Sequence, residues 1–408
     1  MTQALPPNRE RWLLLTLAGV QFTNILDFMI MMPLGPQFTR LWGISNAEFG
    51  LLVSAYTLSA GASGLLASTY IDRFGRKRLL LVLYGLFGLA TLACGLAPGY
   101  GWLMTARIAA GLFGGVLSAL VQTIVADAIS FERRGRAMSA VMTSFSVATV
   151  AGVPLGLWMA AQWSWHAPFV AIAGVTGLLW VMAWRTMPSL RAHLQHGPHP
   201  GPLSGVGRVL ADPNHLRALA LSALMMLAGF LVIPYITLYV QANGGMRDDQ
   251  VPWIYLCGGL TTLATARLMG QLTDRVGKVR MFRRMALVLP LPLLATTLSE
   301  GLPVWALVLI AMALFGVMNA RMIPGMALLS AAADPRLRGT FMTLNSALQS
   351  GAMGLASIVG GMLIGRDAQG HLTQYWMAGL LGGAVSLFTV WLAGTIRLHT
   401  GPASTLKR

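Results

Sequence analysis

Two ionisable residues sit where ionisable residues are expensive. Asp27 lies in the apolar run NILDFMIMMPLGP (24–36), and Arg107 lies seven residues after Tyr100 in a second apolar run. A charge inside a membrane-length segment is kept only where it is paired or used. Asp27 falls about 9 Å below a boundary at Pro33, and Arg107 about 7.5 Å below the start of its own segment at 102, so the two lie level. Burial disfavours a charged carboxylate and a nearby guanidinium favours it. A site in which substrate or conformation alters that balance takes up and releases a proton. The alternative reading of the same pair is a static bridge that fixes the packing of two helices.

Positioning such a pair requires helices that cross a membrane, and the composition supplies them. The 408 residues are 55% hydrophobic and only 10% charged, against roughly a quarter charged in soluble domains. A span needs about 20 apolar residues. Apolar runs lie near 12–34, 48–70, 79–97, 102–126, 138–160 and 166–186, and again near 218–242, 251–271, 285–301, 303–329, 341–364 and 373–396. The net charge of +16 follows their connections. With the N-terminus inside, 23 of the 29 Lys and Arg fall on inner loops and tails, and only Arg40, Arg247 and Arg366 fall outside. This is the positive-inside pattern, with both termini cytoplasmic. It explains the basic excess without nucleic acid. The first run is too long for a cleaved leader and contains Asp27. Cys94 and Cys257, one in each half, define neither a disulfide nor a metal site.

The remaining charge is concentrated and repeated. ASTYIDRFGRKRLLL (67–81) returns as GQLTDRVGKVRMFRR (270–284), so that Asp72-Arg73-Phe74-Gly75-Arg76 matches Asp274-Arg275-Val276-Gly277-Lys278 at an offset of 202. GLFGGV (111–116) against ALFGVM (313–318), and RRGRAMS (133–139) against RLRGTFMT (336–343), follow in the same order. Duplication of a six-span unit is the reading, and parallel repeats of this kind are a transporter architecture. The expected domains are a six-helix bundle over 1–186, a cytoplasmic linker over 187–217 and a second bundle over 218–408. The linker is rich in Pro, Gly and His. His193, His196 and His199 recur every third residue, but Pro198 and Pro200 break the helix and no carboxylate or thiolate joins them, so no metal site is expected.

These motifs resemble the major facilitator superfamily, specifically its twelve-span drug–proton antiporters and sugar-efflux-like permeases. The resemblance covers essentially the whole chain. Ser68-Thr69-Tyr70-Ile71-Asp72-Arg73-Phe74-Gly75-Arg76-Lys77 is similar to the family loop Gly-x-x-x-Asp-Arg-x-Gly-Arg-Lys, with Ser68 in place of the glycine. The resemblance implies that this loop and its second copy latch the halves together, Asp72 facing the start of span 11 near Thr340 and Asp274 the start of span 5. Gly75 and Gly277 are expected to supply backbone angles closed to other residues. Arg107-Ile108-Ala109-Ala110-Gly111 resembles Arg-x-x-Gln-Gly, with Ala110 replacing glutamine. Gly152, Pro154 and Gly156 resemble the Gly-x-Pro-x-Gly segment of exporters, which sugar-efflux-like members follow with Trp-Arg where this chain has Trp165-His166.

The expected fold is therefore all-α, with twelve transmembrane helices in two six-helix bundles. The expected function is export of small organic molecules across the cytoplasmic membrane by proton antiport, in a lipid-embedded monomer with no cofactor. Asp27 and Arg107 are the coupling candidates. Gln21, Asn24, Tyr235, Tyr239, Arg321, Asn345 and Gln349 are cavity candidates or interhelical bonds. Arg267 and Arg321 are expected to reach the inner surface with their long side chains; if they face a cavity instead, an anion exchanger or importer becomes the alternative. A non-transporting sensor of the same fold is a further alternative. No Gly-x-x-x-x-Gly-Lys-Ser/Thr loop and no paired acid and nucleophile within a span are present, so neither ATP drive nor catalysis is expected.

Overall fold

The computed structural model describes residues 7–129, 131–188, 205–334 and 336–398; at 7, 8, 68, 69, 72, 131, 132 and 134–136 only the backbone is described. The first half contains α1 (Pro7–Ile30), a short α2 (Gly35–Trp42), α3 (Asn46–Tyr70), α4 (Arg76–Gly95) and α5 (Tyr100–Ala128). It continues with α6 (Phe131–Val147), α7 (Val153–Gln162) and α8 (His166–Thr186). The second half contains a short α9 (Val206–Ala211), α10 (Pro213–Phe230), α11 (Ile236–Ala242), α12 (Val251–Val276), α13 (Lys278–Val288) and α14 (Pro290–Thr297). It ends with α15 (Val304–Ala332), α16 (Arg338–Leu363) and α17 (Tyr375–Thr395). The only described strands, β1 (Gly365–Arg366) and β2 (Leu372–Thr373), form a small hairpin between α16 and α17.

Three rods are interrupted, each at a proline. Pro154 has no N–H for the carbonyl four residues back, and the preceding residues Ala148–Gly152 widen into a π-turn joining α6 to α7. Pro234 stands in the 3-10 turn Ile233–Tyr235 between α10 and α11, where the Val232 carbonyl accepts from the Tyr375 hydroxyl at 2.8 Å. Pro290 separates α13 from α14. Counted as continuous rods, the described helices give twelve spans. Ten are long and apolar enough to cross a membrane by themselves; α12 and the α13–α14 rod flank the second charged loop. The protein is an all-α membrane protein of two six-helix bundles, as the sequence predicts. Leu89, Leu178, Leu291, Trp305 and Trp391 are all more than 60% exposed. Apolar exposure on this scale needs lipid rather than water around it. Of the expected linker, 189–204, with its three histidines, lies outside the described residues. Its end is helical, since α9 and the start of α10 precede 218.

The loops at 71–75 and 277 share one side of the molecule with the end of α8 and the start of α9, here called the basic face. At the opposite face the two halves meet. α3 packs along α16, and α7 with its π-turn packs against α12. The approach is close enough to exclude side chains. A Cβ on Gly50 would come 2.5 Å from the Ser357 carbonyl oxygen, and one on Gly361 2.5 Å from the Asn46 carbonyl oxygen. The Asn46 amide donates to the carbonyls of Ile364 (3.1 Å) and Gly365 (3.3 Å), and the Tyr235 hydroxyl donates to the Ser357 carbonyl. Arg40 and Asp248 bridge the halves at 3.1 Å, but both are about half exposed and such a pair contributes about 0–1 kcal/mol. The glycine-lined backbone contact, not the surface bridge, holds this face shut.

Gly50→Val is therefore expected to weaken closure by about 1–3 kcal/mol, the usual cost of overpacking. Spin labels at the exposed positions Leu41 and Arg247 report it: the variant should show a longer, broader distance distribution than the parent, and unchanged distances would contradict the assignment.

Candidate functional site

Asp27 and Arg107 are brought together. Arg107 Nη1 donates to Asp27 Oδ2 at 2.8 Å and to the Asp27 backbone carbonyl at 3.2 Å, with both residues fully buried. Glycines make the meeting possible. A Cβ on Gly111 would lie 2.3 Å from the Tyr56 carbonyl oxygen, and one on Gly115 2.3 Å from that of Ala60, so α5 rests on the backbone of α3. On the other side of α1, Gly152 and Gly156 lie against Leu26 and Ile30, one on each side of Asp27 along the helix. The exporter-like segment thus packs on the helix that carries the carboxylate.

Tyr56, which the sequence reading missed, covers the pair. Arg107 Cζ lies 4.5 Å from the centroid of its ring, a cation–π contact. The Tyr56 hydroxyl donates to Asn24 Oδ1 at 2.6 Å, and Asn24 Nδ2 donates to the Gly114 carbonyl (3.1 Å) and Ser118 Oγ (3.0 Å). Phe28 stacks on Tyr56 at 5.5 Å and on Phe230 of the other half at 6.2 Å. Among the described residues, Asp27 Oδ1 and Arg107 Nε have no hydrogen-bond partner.

On the basic side of this layer lies a cavity of about 780 Å³. Asn24, Phe28, Tyr56, Ser118 and Gln122 line it from the first half, and Met326, Thr343, Asn345, Gln349 and Met353 from the second. It reaches Ala126, Met138 and Gly339, close to helix ends at the basic face. It stops about 15 Å, ten residues of helix, short of the opposite ends of α3 and α16. Among the described residues, no Asp, Glu, Lys or Arg lines it. The Asp27–Arg107 pair is therefore outside the cavity, one layer behind Tyr56 and Asn24.

Three cavity candidates fall here and four do not. Asn24, Asn345 and Gln349 line the wall; Asn345 Oδ1 is buried without a described partner, and Gln349 Nε2 donates to Ser222 Oγ at 2.7 Å. Gln21 points instead at Ser118 between α1 and α5, at 3.5 Å. Tyr235 is spent on the α3–α16 contact. Tyr239 packs against Tyr375 with ring centroids 4.8 Å apart and the planes tilted by 43°, in the core. Arg321 does not reach the surface: it is 1% exposed and donates to the Met225 carbonyl at 2.7 Å, because Gly325 and the Met225 side chain close over α15 there. Arg267 is exposed and is not among the residues that line the cavity.

The charged loops are built differently from their expectation. Gly75 has an ordinary φ of −62°, whereas Gly277 has φ +95°, so only the second copy requires glycine for its angle. Arg76 is buried and ties the loop to the end of α5 through Asp127 at 2.9 Å, another residue the sequence reading missed. It also donates to the Ile71 carbonyl at 2.8 Å. Lys77 caps α8 through the carbonyls of Trp184 and Met187, both at 2.7 Å. Arg73, Asp274 and Arg275 are exposed. The Asp72 side chain and those at the start of α6 lie outside the described residues, and Thr340 has the backbone of Gly205 against it.

Removing one member of a fully buried ion pair typically costs about 3–5 kcal/mol, since the other charge is left uncompensated. Arg107→Gln should show that loss in denaturant unfolding of the purified protein. The double variant Asp27→Asn/Arg107→Gln should lose less than the sum of the two single variants, and strict additivity would contradict the pairing.

Comparison with known proteins follows the same lines. The chain is 24% identical over 399 residues to an uncharacterized MFS-type transporter, YbcL, of Bacillus subtilis, covering 97% of this chain and 98% of that protein. It is 26% identical to a chloramphenicol efflux pump of Mycobacterium tuberculosis, covering 85% and 84%. Its fold superposes on a D-xylose–proton symporter with a TM-score of 0.77 at 16% identity, over 95% and 97% of the two chains. Residues 17–247 and 218–405 match the sequence profile of one family. The chain belongs to the Major Facilitator Superfamily, a multi-pass membrane transporter with the cavity between its two bundles.

Proposed function

We propose that the protein exports small organic molecules, drug-like or sugar- or nucleoside-like, across the cytoplasmic membrane in exchange for protons, as a monomer. The observation that carries this reading is a cavity with hydroxyl and amide walls from both halves, standing one layer from a buried carboxylate–guanidinium pair. The excess of Lys and Arg assigns the basic face to the cytoplasm. The described conformation is then open inward and sealed outward, and the latch assigned to Asp72 and Asp274 acts on the inward side. The domain boundaries at 186 and 218 are part of the same proposal.

The position of the pair supports antiport rather than simple diffusion. Asp27 and Arg107 lie in the layer that is sealed in this state, between the cavity floor and the opposite face. Rocking of the bundles, which parts the α3–α16 and α7–α12 contacts at that face, opens the layer outward. Water and protons from outside then reach Asp27, and protonation removes the charge that Arg107 holds. Return to the inward-open state re-forms the bridge, releases the proton toward Tyr56 and leaves the cavity ready for the next molecule. The likeness to a chloramphenicol efflux pump supports the outward direction and makes chloramphenicol the first compound to test.

The test uses protein in liposomes with a trapped pH dye. Wild type should move protons against an imposed gradient of chloramphenicol, a sugar or a nucleoside, and Asp27→Asn should bind the compound without moving protons. Compound flux without proton movement in wild type would overturn the antiport reading.

A further inference from the structure

The second half holds a cation without an acid. Arg321 is 1% exposed, and of its guanidinium nitrogens only Nη2 has a described partner, the Met225 carbonyl; Nε and Nη1 have none. No described carboxylate forms a salt bridge with it. A guanidinium offers five donors in a fixed fork suited to a carboxylate, and one buried with two of its three nitrogens unmatched is costly unless something else completes it.

Its place beside the cavity indicates what completes it. Met225 follows Ser222 by three residues on α10, about 4.5 Å along the axis. The Ser222 hydroxyl accepts from Gln349, which lines the cavity. Gln349 also contacts Met326 Sδ at 3.8 Å, and Met326, on the same helix as Arg321, lines the cavity as well. The guanidinium thus stands about one helical turn behind a polar wall whose amide is held by a single short hydrogen bond to Ser222. The field has the same sign. Asp27 and Arg107 cancel, no charged group among the described residues lines the cavity, and Arg321 is left as one net positive charge buried between the spans. In a medium of low dielectric that charge repels organic cations and attracts anions.

We propose that Arg321, with Gln349 and Ser222, forms a subsite for an anionic group of carboxylate type on the transported molecule, reached from the cavity when the Gln349 amide turns off Ser222. The inference rests on the transporter reading and adds molecules that carry such a group to its candidate substrates, with organic cations disfavoured.

The probes are benzoate and benzamide, equal in shape and different in charge, titrated into the purified full-length protein in detergent at constant ionic strength, with thermal unfolding as the readout. Benzoate should stabilise wild type with an apparent affinity roughly tenfold or more above that of benzamide. Arg321→Gln should abolish the preference and Arg321→Lys should keep part of it. Gln349→Glu, which supplies an internal carboxylate beside the guanidinium, should also abolish benzoate binding, and it decides the matter if Arg321→Gln does not fold. Equal effects of the two probes, no effect of benzoate on wild type, or a benzoate preference that survives Arg321→Gln or Gln349→Glu would each overturn the proposal and leave Arg321 as a cap on the Met225 carbonyl. Because no proton gradient is present, failure here leaves the antiport reading untouched, and a negative flux assay leaves the subsite untouched.

Discussion

The bridge between Asp27 and Arg107 sets the terms for the first bundle. Removing two charges from water costs several kcal/mol for each ion, and only close geometry and low exposure of both partners recover it. At 2.8 Å, with an aromatic face over the guanidinium, the pair meets that demand only because glycines let the four helices around it approach closely. Gly111 and Gly115 bring α5 onto α3, and Gly152 and Gly156 bring α7 onto α1. The proline that follows Gly152 forces the π-turn, and the π-turn in turn forms part of the contact with α12 of the other half. Electrostatic need, helix irregularity and the interface between the bundles are therefore linked through one short segment.

The two halves have kept the repeat in their loops and lost it in their interiors. Both copies of the charged loop turn the chain at the basic face, but they hold it by different means. The first anchors its arginine to Asp127 and its lysine to the end of α8, while the second relies on a positive φ at Gly277. Inside, Arg107 has an acid and Arg321 has a carbonyl. A cavity between such unlike walls offers a substrate two chemically distinct sides, hydroxyl and amide groups over a neutral pair on one and amides over a buried cation on the other. Asymmetry of this kind orients a bound molecule, which a symmetric pair of walls does not.

Much of this was legible in the sequence, and the limits have physical causes. The span pattern, the basic face, the duplication and the level placement of Asp27 and Arg107 follow from hydropathy, charge and a rise of 1.5 Å per residue. Spacing along one helix says which residues share a face; it does not say what that face meets. Tyr56 was missed for that reason, since nothing in its own segment marks it as the neighbour of Arg107. Tyr235 and Tyr239 take the second of the two roles left open for them, contacts between helices. Tyr235 closes the 3-10 turn Ile233–Tyr235 and Tyr239 lies one turn on in α11, so the spacing places both on one side but does not say which helix each meets. One tyrosine meets α16 and the other α17. Snorkelling of Arg321 was expected from a span ending near 329, but α15 runs eleven residues past it to Ala332, and the smallness of Gly325 lets Met225 and Phe282 cover that part of the helix.

In the proposed cycle Asp27 is charged whenever it holds Arg107 and neutral when the sealed layer opens, so the carboxylate itself is the quantity to observe. Infrared difference spectroscopy of the reconstituted protein, triggered by adding a transported compound, reads protonation of a single buried carboxyl directly. A carboxyl band that appears or disappears on substrate addition, shifts with isotopic labelling of aspartate and is absent from Asp27→Asn is the predicted result. Transport that proceeds with no change in any aspartate carboxyl band would contradict it and reduce the pair to a structural bridge.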